Sequence, residues 1–155
     1  MTEPAEPRVQ RLAEGAPLPD WVARLDRAAF GEAWHDLAPH EALWVIPGQA
    51  FARWSQVPAA GEAELLRIAV SPEARGQGLG RALLEACQRD LAEAGMARLF
   101  LEVRPSNAAA IRLYHACGWR PCGRRPGYYP DGEDAALFLR EIVTSRSGSG
   151  PSGPR

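Results

Sequence analysis

The sequence predicts one α/β domain: a mixed, mostly antiparallel sheet of about six to seven strands flanked by helices. Three observations carry this. Apolar spacing alternates along the chain between period two and period four. A glycine-rich run, RGQGLG at 75–80, joins a strand to a long amphipathic helix. The length, 155 residues, suits a single domain and buries enough surface to need neither a disulfide nor a metal.

Residues 1–7 are expected to be flexible, and the domain to occupy 8–142. Arg8–Ala13 suits a first strand. Pro19 and Asp20 open a helix to about Phe30, with Trp21, Val22, Leu25, Ala28 and Ala29 at helical spacing. Residues 31–40 carry no period and are expected to be irregular, with one short turn at most. Ala42–Ile46, Ala50–Gln56 and Glu62–Val70 form an antiparallel meander, broken by Pro47-Gly48 and by PAAG at 58–61. After Ser71-Pro72 the period changes. Leu79, Leu83, Cys87 and Leu91 recur every four residues, and Gly95 ends that helix. Ala97–Val103 is a buried strand with Leu99, Leu101 and Val103 on one face and Phe100 and Glu102 on the other. Ser106 can cap a helix whose stripe is Ala110, Leu113, Tyr114 and Cys117, stopped by Gly118. Trp119–Arg124 and Ala135–Ile142 close the sheet around the loop PGYYPDGED at 126–134. The Gly/Ser/Pro-rich tail, 143–155, is expected to be disordered.

Composition excludes several chemistries. The net charge is −1 at pH 7, which does not favour nucleic-acid or anionic-membrane binding. All 18 cations are arginine, so lysine nucleophiles, Schiff bases and a Walker lysine are absent. No apolar run approaches a membrane span, and the polar, acidic start MTEPAEPRVQ does not resemble a signal peptide. Three sparse cysteines (Cys87, Cys117, Cys122) fit a reduced, cytoplasmic protein. They and the histidines His35, His40 and His115 show no metal spacing, so no metal is expected.

In RGQGLG, Gly76, Gly78 and Gly80 let backbone N–H groups crowd an anion at a helix N-terminus. The alternating glycines exclude the dinucleotide fingerprint, and the missing lysine excludes a Walker loop. A diphosphate cradle of another type remains, beside the plainer possibility of a glycine turn.

The pattern R-x-x-G-x-G from Arg75 to Gly80 resembles the pyrophosphate loop of the GNAT superfamily of N-acetyltransferases. LEVRPSNAAAIRLYHACGW (101–119) follows at the distance that superfamily expects. With RRPGYYPDGEDA (124–135), the stretch 62–142 resembles the ribosomal-protein-alanine N-acetyltransferase branch; the first 60 residues match only loosely.

The resemblance implies acetyl transfer from acetyl-CoA to a primary amine, and a split between the central strands that admits pantetheine. It places the cofactor on Ile68, Ala69 and Val70, on Arg75, Gly76, Gln77, Gly78, Leu79, Gly80 and Arg81, and on Asn107 and Tyr114. A backbone N–H at the split would polarise the thioester carbonyl.

Glu102 is implied as general base; by itself it also suits a surface glutamate or a partner of Arg104 or Arg112. Tyr114 is implied as general acid toward the leaving thiolate; it also suits a core aromatic with its hydroxyl at the rim. Asn107, the chain's one asparagine, is implied to bond pantetheine and also suits a helix cap. Tyr128 and Tyr129 are implied to wall a peptide groove. Asp131, Glu133 and Asp134 suit either attraction of an ammonium or a solvated turn.

An α-amine with pKa near 8 is neutral in roughly a tenth of molecules at pH 7, a lysine amine in fewer than about one in a thousand. A modest base therefore suits an N-terminus, the N-terminal alanine of a ribosomal protein being the partner the branch implies. Small-molecule amine acetylation and a non-catalytic acyl-CoA-binding module are the alternatives. Three places depart from the branch. FGEAWHD (30–36) lacks the expected proline, the second helix is nearly missing, and Arg75 replaces a frequent glutamine. The first two fall on the acceptor side.

Overall fold

The computed structural model describes residues 6–12 and 15–142. The expected tail at 143–155, most of the expected flexible start at 1–7, and Ala13 of the expected first strand lie outside them.

Seven strands form one sheet in the order β1-β2-β3-β4-β5-β7-β6. They are β1 (Gln10–Leu12), β2 (Glu41–Ile46), β3 (Ala50–Val57), β4 (Glu62–Val70), β5 (Arg98–Val103), β6 (Arg120–Arg125) and β7 (Ala135–Glu141). The helices are α1 (Asp20–Phe30), α2 (Leu79–Glu93) and α3 (Ala108–Ala116). Every strand pair is antiparallel except β4 with β5. A parallel pair needs a crossover, and α2 supplies it.

Alternation along β2 sorts side chains to two cores. Ala42, Trp44 and Ile46 meet Leu79, Leu83, Leu84, Cys87 and Leu91 of α2. Leu43 and Val45 meet Val22 and Leu25 of α1. A strand covered on both faces reads as a continuous apolar run, as β2 does. On α1, Ala28 and Ala29 are exposed, contrary to the expected stripe, and Asp26 is buried instead.

Two features of β4 shape everything downstream. First, its pairing with β5 covers only Glu62–Leu65 against Arg98–Leu101. Past Leu65 the strands have no shared ladder, which is the split the resemblance implied. Second, Arg53 faces Arg67 while Trp54 faces Leu65, so Leu66 is an extra, bulged residue. A bulge shifts the alternation by one. Ala63 and Leu65 point to the α2 core, whereas Ala69, beyond the bulge, joins the α1 core.

Candidate active site

The glycine loop meets the demands of an anion cradle. Gly76 and Gly78 have φ of 81° and 74°, a region closed to most side chains. Gly78 is the N-cap of α2 and offers no side-chain cap bond, so the helix's leading N–H groups stay available to a ligand. A Cβ on Gly80 would lie 3.6 Å from Leu113 of α3 and 3.7 Å from Val70, ordinary contact distances, so this third glycine is not demanded by space. Arg75 donates from Nε to the Val70 carbonyl at 3.2 Å, and Arg81 pairs with Glu85 at 2.6 Å. Loop, helix terminus and split together fit an extended thioester cofactor with a diphosphate.

The split opens into a cleft of about 380 Å³. Of the expected residues, Ile68, Glu102, Asn107, Tyr114, Tyr128 and Tyr129 line it. Ala69 and Val70 continue β4 toward the glycine loop without lining it.

Glu102 faces away from the buried Leu99, Leu101 and Val103. Its partner is Arg125 on β6, Nε to Oε1 3.2 Å, and not Arg104 or Arg112. The Tyr128 hydroxyl also faces Glu102. That contact, with partial burial, pushes the phenol up to about 12.

Tyr114 is 5% exposed. Its ring packs on Trp119 (6.0 Å between centroids) and Phe138 (6.2 Å), while Trp119 donates from Nε1 to Gln88 of α2 at 2.8 Å. This packing fixes where the phenol ends. Burial, then the nearby Tyr129, raise its pKa well above the ordinary value, so it is protonated at neutral pH.

One expectation at the start of α3 is corrected. Asn107, not Ser106, caps the helix, its Oδ1 accepting from the Ala110 N–H at 3.1 Å. Ser106 instead donates its N–H and its hydroxyl to Glu133, at 2.9 and 3.0 Å. The cap uses only the Asn107 oxygen, and Asn107 also lines the cleft.

The loop acids lie in an exposed turn and are engaged within the protein. Arg104 binds both oxygens of Asp131 (3.0 and 2.9 Å) and Glu133 (2.9 Å), and its guanidinium lies 4.1 Å from the Tyr129 ring centroid. Asp134 accepts from the Gly127 N–H at 2.9 Å. These bonds hold the loop so that Tyr128, 50% exposed, and Tyr129 stand at the cleft.

Sequence reasoning missed Phe30, Trp34, Glu64, Leu66 and Arg67, which also line the cleft. Glu64 has no ion-pair or hydrogen-bond partner among the described residues. Lost solvation at the cleft wall, then the Glu102 charge, raise its pKa, with Arg125 opposing. The one available signal was Trp34, in the segment that departs from the branch.

Comparison with known proteins decides the family. The model of the acetyltransferase (GNAT) family matches residues 8–119. The chain belongs to the GNAT family. It is 50% identical over 80 residues to the [ribosomal protein bS18]-alanine N-acetyltransferase of Escherichia coli K12, covering half of this chain and 54% of that one. The chain thus spans about half the length of the curated relatives it matches. The crystal structure of the ribosomal-protein-S18-alanine N-acetyltransferase from Escherichia coli superposes with TM-score 0.72 and 32% identity, covering 92% of this chain and 98% of that one. A nourseothricin acetyltransferase structure gives TM-score 0.62 and 30% identity, covering 72% and 71%. Among the described residues no metal-binding group occurs, and no helix is long and apolar enough to cross a membrane.

Proposed function

We propose that this GNAT acetyltransferase moves an acetyl group from acetyl-CoA to the α-amine of a protein N-terminus, with the N-terminal alanine of a ribosomal protein as acceptor and the cytoplasm as its setting. The observation that carries the reading is one cleft, at the β4–β5 split, that holds both Glu102 and Tyr114. Likeness to the Escherichia coli enzyme supports the acceptor assignment.

Acetyl-CoA supplies an activated acyl carbon and a thiolate leaving group. The glycine loop and α2 hold its diphosphate, Ile68, Ala69 and Val70 of β4 hold the pantetheine arm, and the Asn107 amide donates to it. A backbone N–H at the split polarises the carbonyl. Glu102, directly or through one water, takes the proton that the amine loses as the C–N bond forms. Tyr114 gives its proton to sulfur as the C–S bond breaks. Its raised pKa keeps that proton in place beforehand, at the cost of a weaker acid. Tyr128 and Tyr129 wall the acceptor.

Thiol release tests this with peptides starting in Ala, Ser, Met or Gly, an N-blocked lysine peptide and spermidine. Preference for N-terminal Ala is expected. Glu102→Gln and Tyr114→Phe should each cut kcat by about 10²-fold or more while acetyl-CoA affinity stays within about twofold. Wild-type kcat in both variants would remove the two assignments. A second reading, acetylation of a small-molecule amine, draws on the nourseothricin acetyltransferase likeness; spermidine activity without peptide activity would favour it. Acetyl-CoA binding without turnover on any amine would favour a binding module.

A further inference from the structure

Residues 31–40 form no helix, yet Trp34 of this segment is a wall of the cleft. Something other than a helix must hold it. The bulge at Leu66 turns Arg67 to the α1 face, where Arg53 is its direct cross-strand neighbour. Two like charges in register repel, and each guanidinium reaches out of the sheet to a separate anion. Arg53 binds Glu41 at 2.6 Å and the carbonyls of His35 and Asp36 at 2.8 and 3.1 Å. Arg67 binds Asp26 of α1 at 2.7 Å and the Glu32 carbonyl at 3.2 Å. The other Asp26 oxygen accepts the Trp34 backbone N–H at 2.8 Å. The Arg67 guanidinium stacks 3.8 Å from the Trp34 ring centroid and 4.7 Å from that of Phe30. The Arg67 and Asp26 side chains are 13% and 5% exposed, so this ion pair is largely shielded from water, which strengthens its bonds.

We propose that Arg67 is a positioning residue of the acceptor half of the site: with Asp26 it pins Trp34 as the wall against which the acceptor's first side chain rests. The Arg67–Asp26 knot takes the place of the helix that the chain lacks between α1 and β2. The inference rests on the reading that this cleft receives the acceptor amine. It makes Arg67 a determinant of acceptor affinity and leaves the acetyl-CoA half, on the glycine loop, independent of it. Lysine is not an equivalent, because an ammonium can meet Asp26 but cannot stack flat on indole while holding a carbonyl.

The test uses full-length Arg67→Leu, Arg67→Lys and Trp34→Ala. Steady-state kinetics on the best acceptor peptide, acetyl-CoA titration, and hydrogen exchange of peptides covering residues 31–37 are measured for each. The expected result is an acceptor KM raised about tenfold in Arg67→Leu and Trp34→Ala, partly in Arg67→Lys. Acetyl-CoA affinity stays within about twofold, and exchange at the Trp34 amide accelerates in the Arg67 variants. Unchanged exchange in Arg67→Leu, or faster exchange with acceptor KM unchanged, overturns the proposal. Should Arg67→Leu fail to bind acetyl-CoA, Arg67→Lys and Trp34→Ala decide by the same criteria. Wild-type protein inactive on every amine defeats the parent reading instead, and the exchange arm, which needs no acceptor, still decides the clamp.

Discussion

In the proposed site Asn107 has two tasks on one amide group: its oxygen caps α3, and its nitrogen is assigned to the pantetheine arm. The tasks separate by substitution. Asn107→Ala should cost about 1 kcal/mol of stability through the lost cap and also raise the acetyl-CoA KM. Asn107→Ser keeps a capping oxygen and should restore the melting temperature while the KM stays high. A serine variant with wild-type KM would leave Asn107 as a cap alone. Glu64 gives a pH-dependent prediction. Its carboxyl is held above the ordinary 4.5, so the fold favours its protonated form. The stability it contributes is complete below the unfolded value and is lost as pH rises through the folded one. Glu64→Gln, which cannot ionise, should therefore gain on wild type as pH rises from the ordinary carboxylate range toward neutrality. Glu102, Arg125 and Tyr128 are the titratable neighbours that face Glu64. A melting-temperature gap constant across that range would refute the coupling.

Among the elements, the segment 31–40 shows most clearly what arginine can do in a chain without lysine. Arg53 is 2% exposed, and its partner Glu41 is held below its ordinary pKa. Burial alone would raise Glu41; the hydrogen bonds from Arg53 and from the Ala38 N–H outweigh it. The stabilisation is present above the ordinary value and fades as pH falls through the lowered one. Arg53→Leu leaves a buried carboxylate unpaired and should cost about 3–5 kcal/mol. Chemical denaturation reads this directly, and a loss under about 1 kcal/mol would mean that Glu41 finds water instead. The loop 126–134 follows the same logic. Composition gives its acids charge without partners; only the fold shows that Arg104 takes Asp131 and Glu133 and that Ser106 donates to Glu133.

At the scale of the molecule, the open β4–β5 pair and the glycine loop make a binding site before any acceptor arrives. Acetyl-CoA at about 100 times its Kd should stabilise the fold by about 2.7 kcal/mol, visible as a raised melting temperature. No shift at millimolar acetyl-CoA would contradict the cofactor assignment. Much of this architecture was legible in the residues. Periodicity gave the meander, α2 and β5, because one-sided or two-sided burial imposes a spacing that side chains cannot hide. Alternation also put Glu102 opposite Leu101, and the glycines of the loop 75–80 announced a tight turn before α2, since the positive φ at Gly76 and Gly78 favours glycine. The Leu66 bulge left no mark in the sequence. Plain alternation would set Arg67 beside Leu65, and a bulge is decided by how two strands register, not by one strand's composition. The partners of Arg53, Arg67, Arg104 and Glu102 were hidden likewise, since each pair joins residues distant in the chain. The sequence by itself determined the elements, as local consequences of residue type and spacing; the cofactor loop and the candidate acid and base were what its resemblance to the family implied. The tertiary structure alone decided which charges neutralise one another and which face the cleft, because a charge's role depends on what the fold brings within a few ångströms of it.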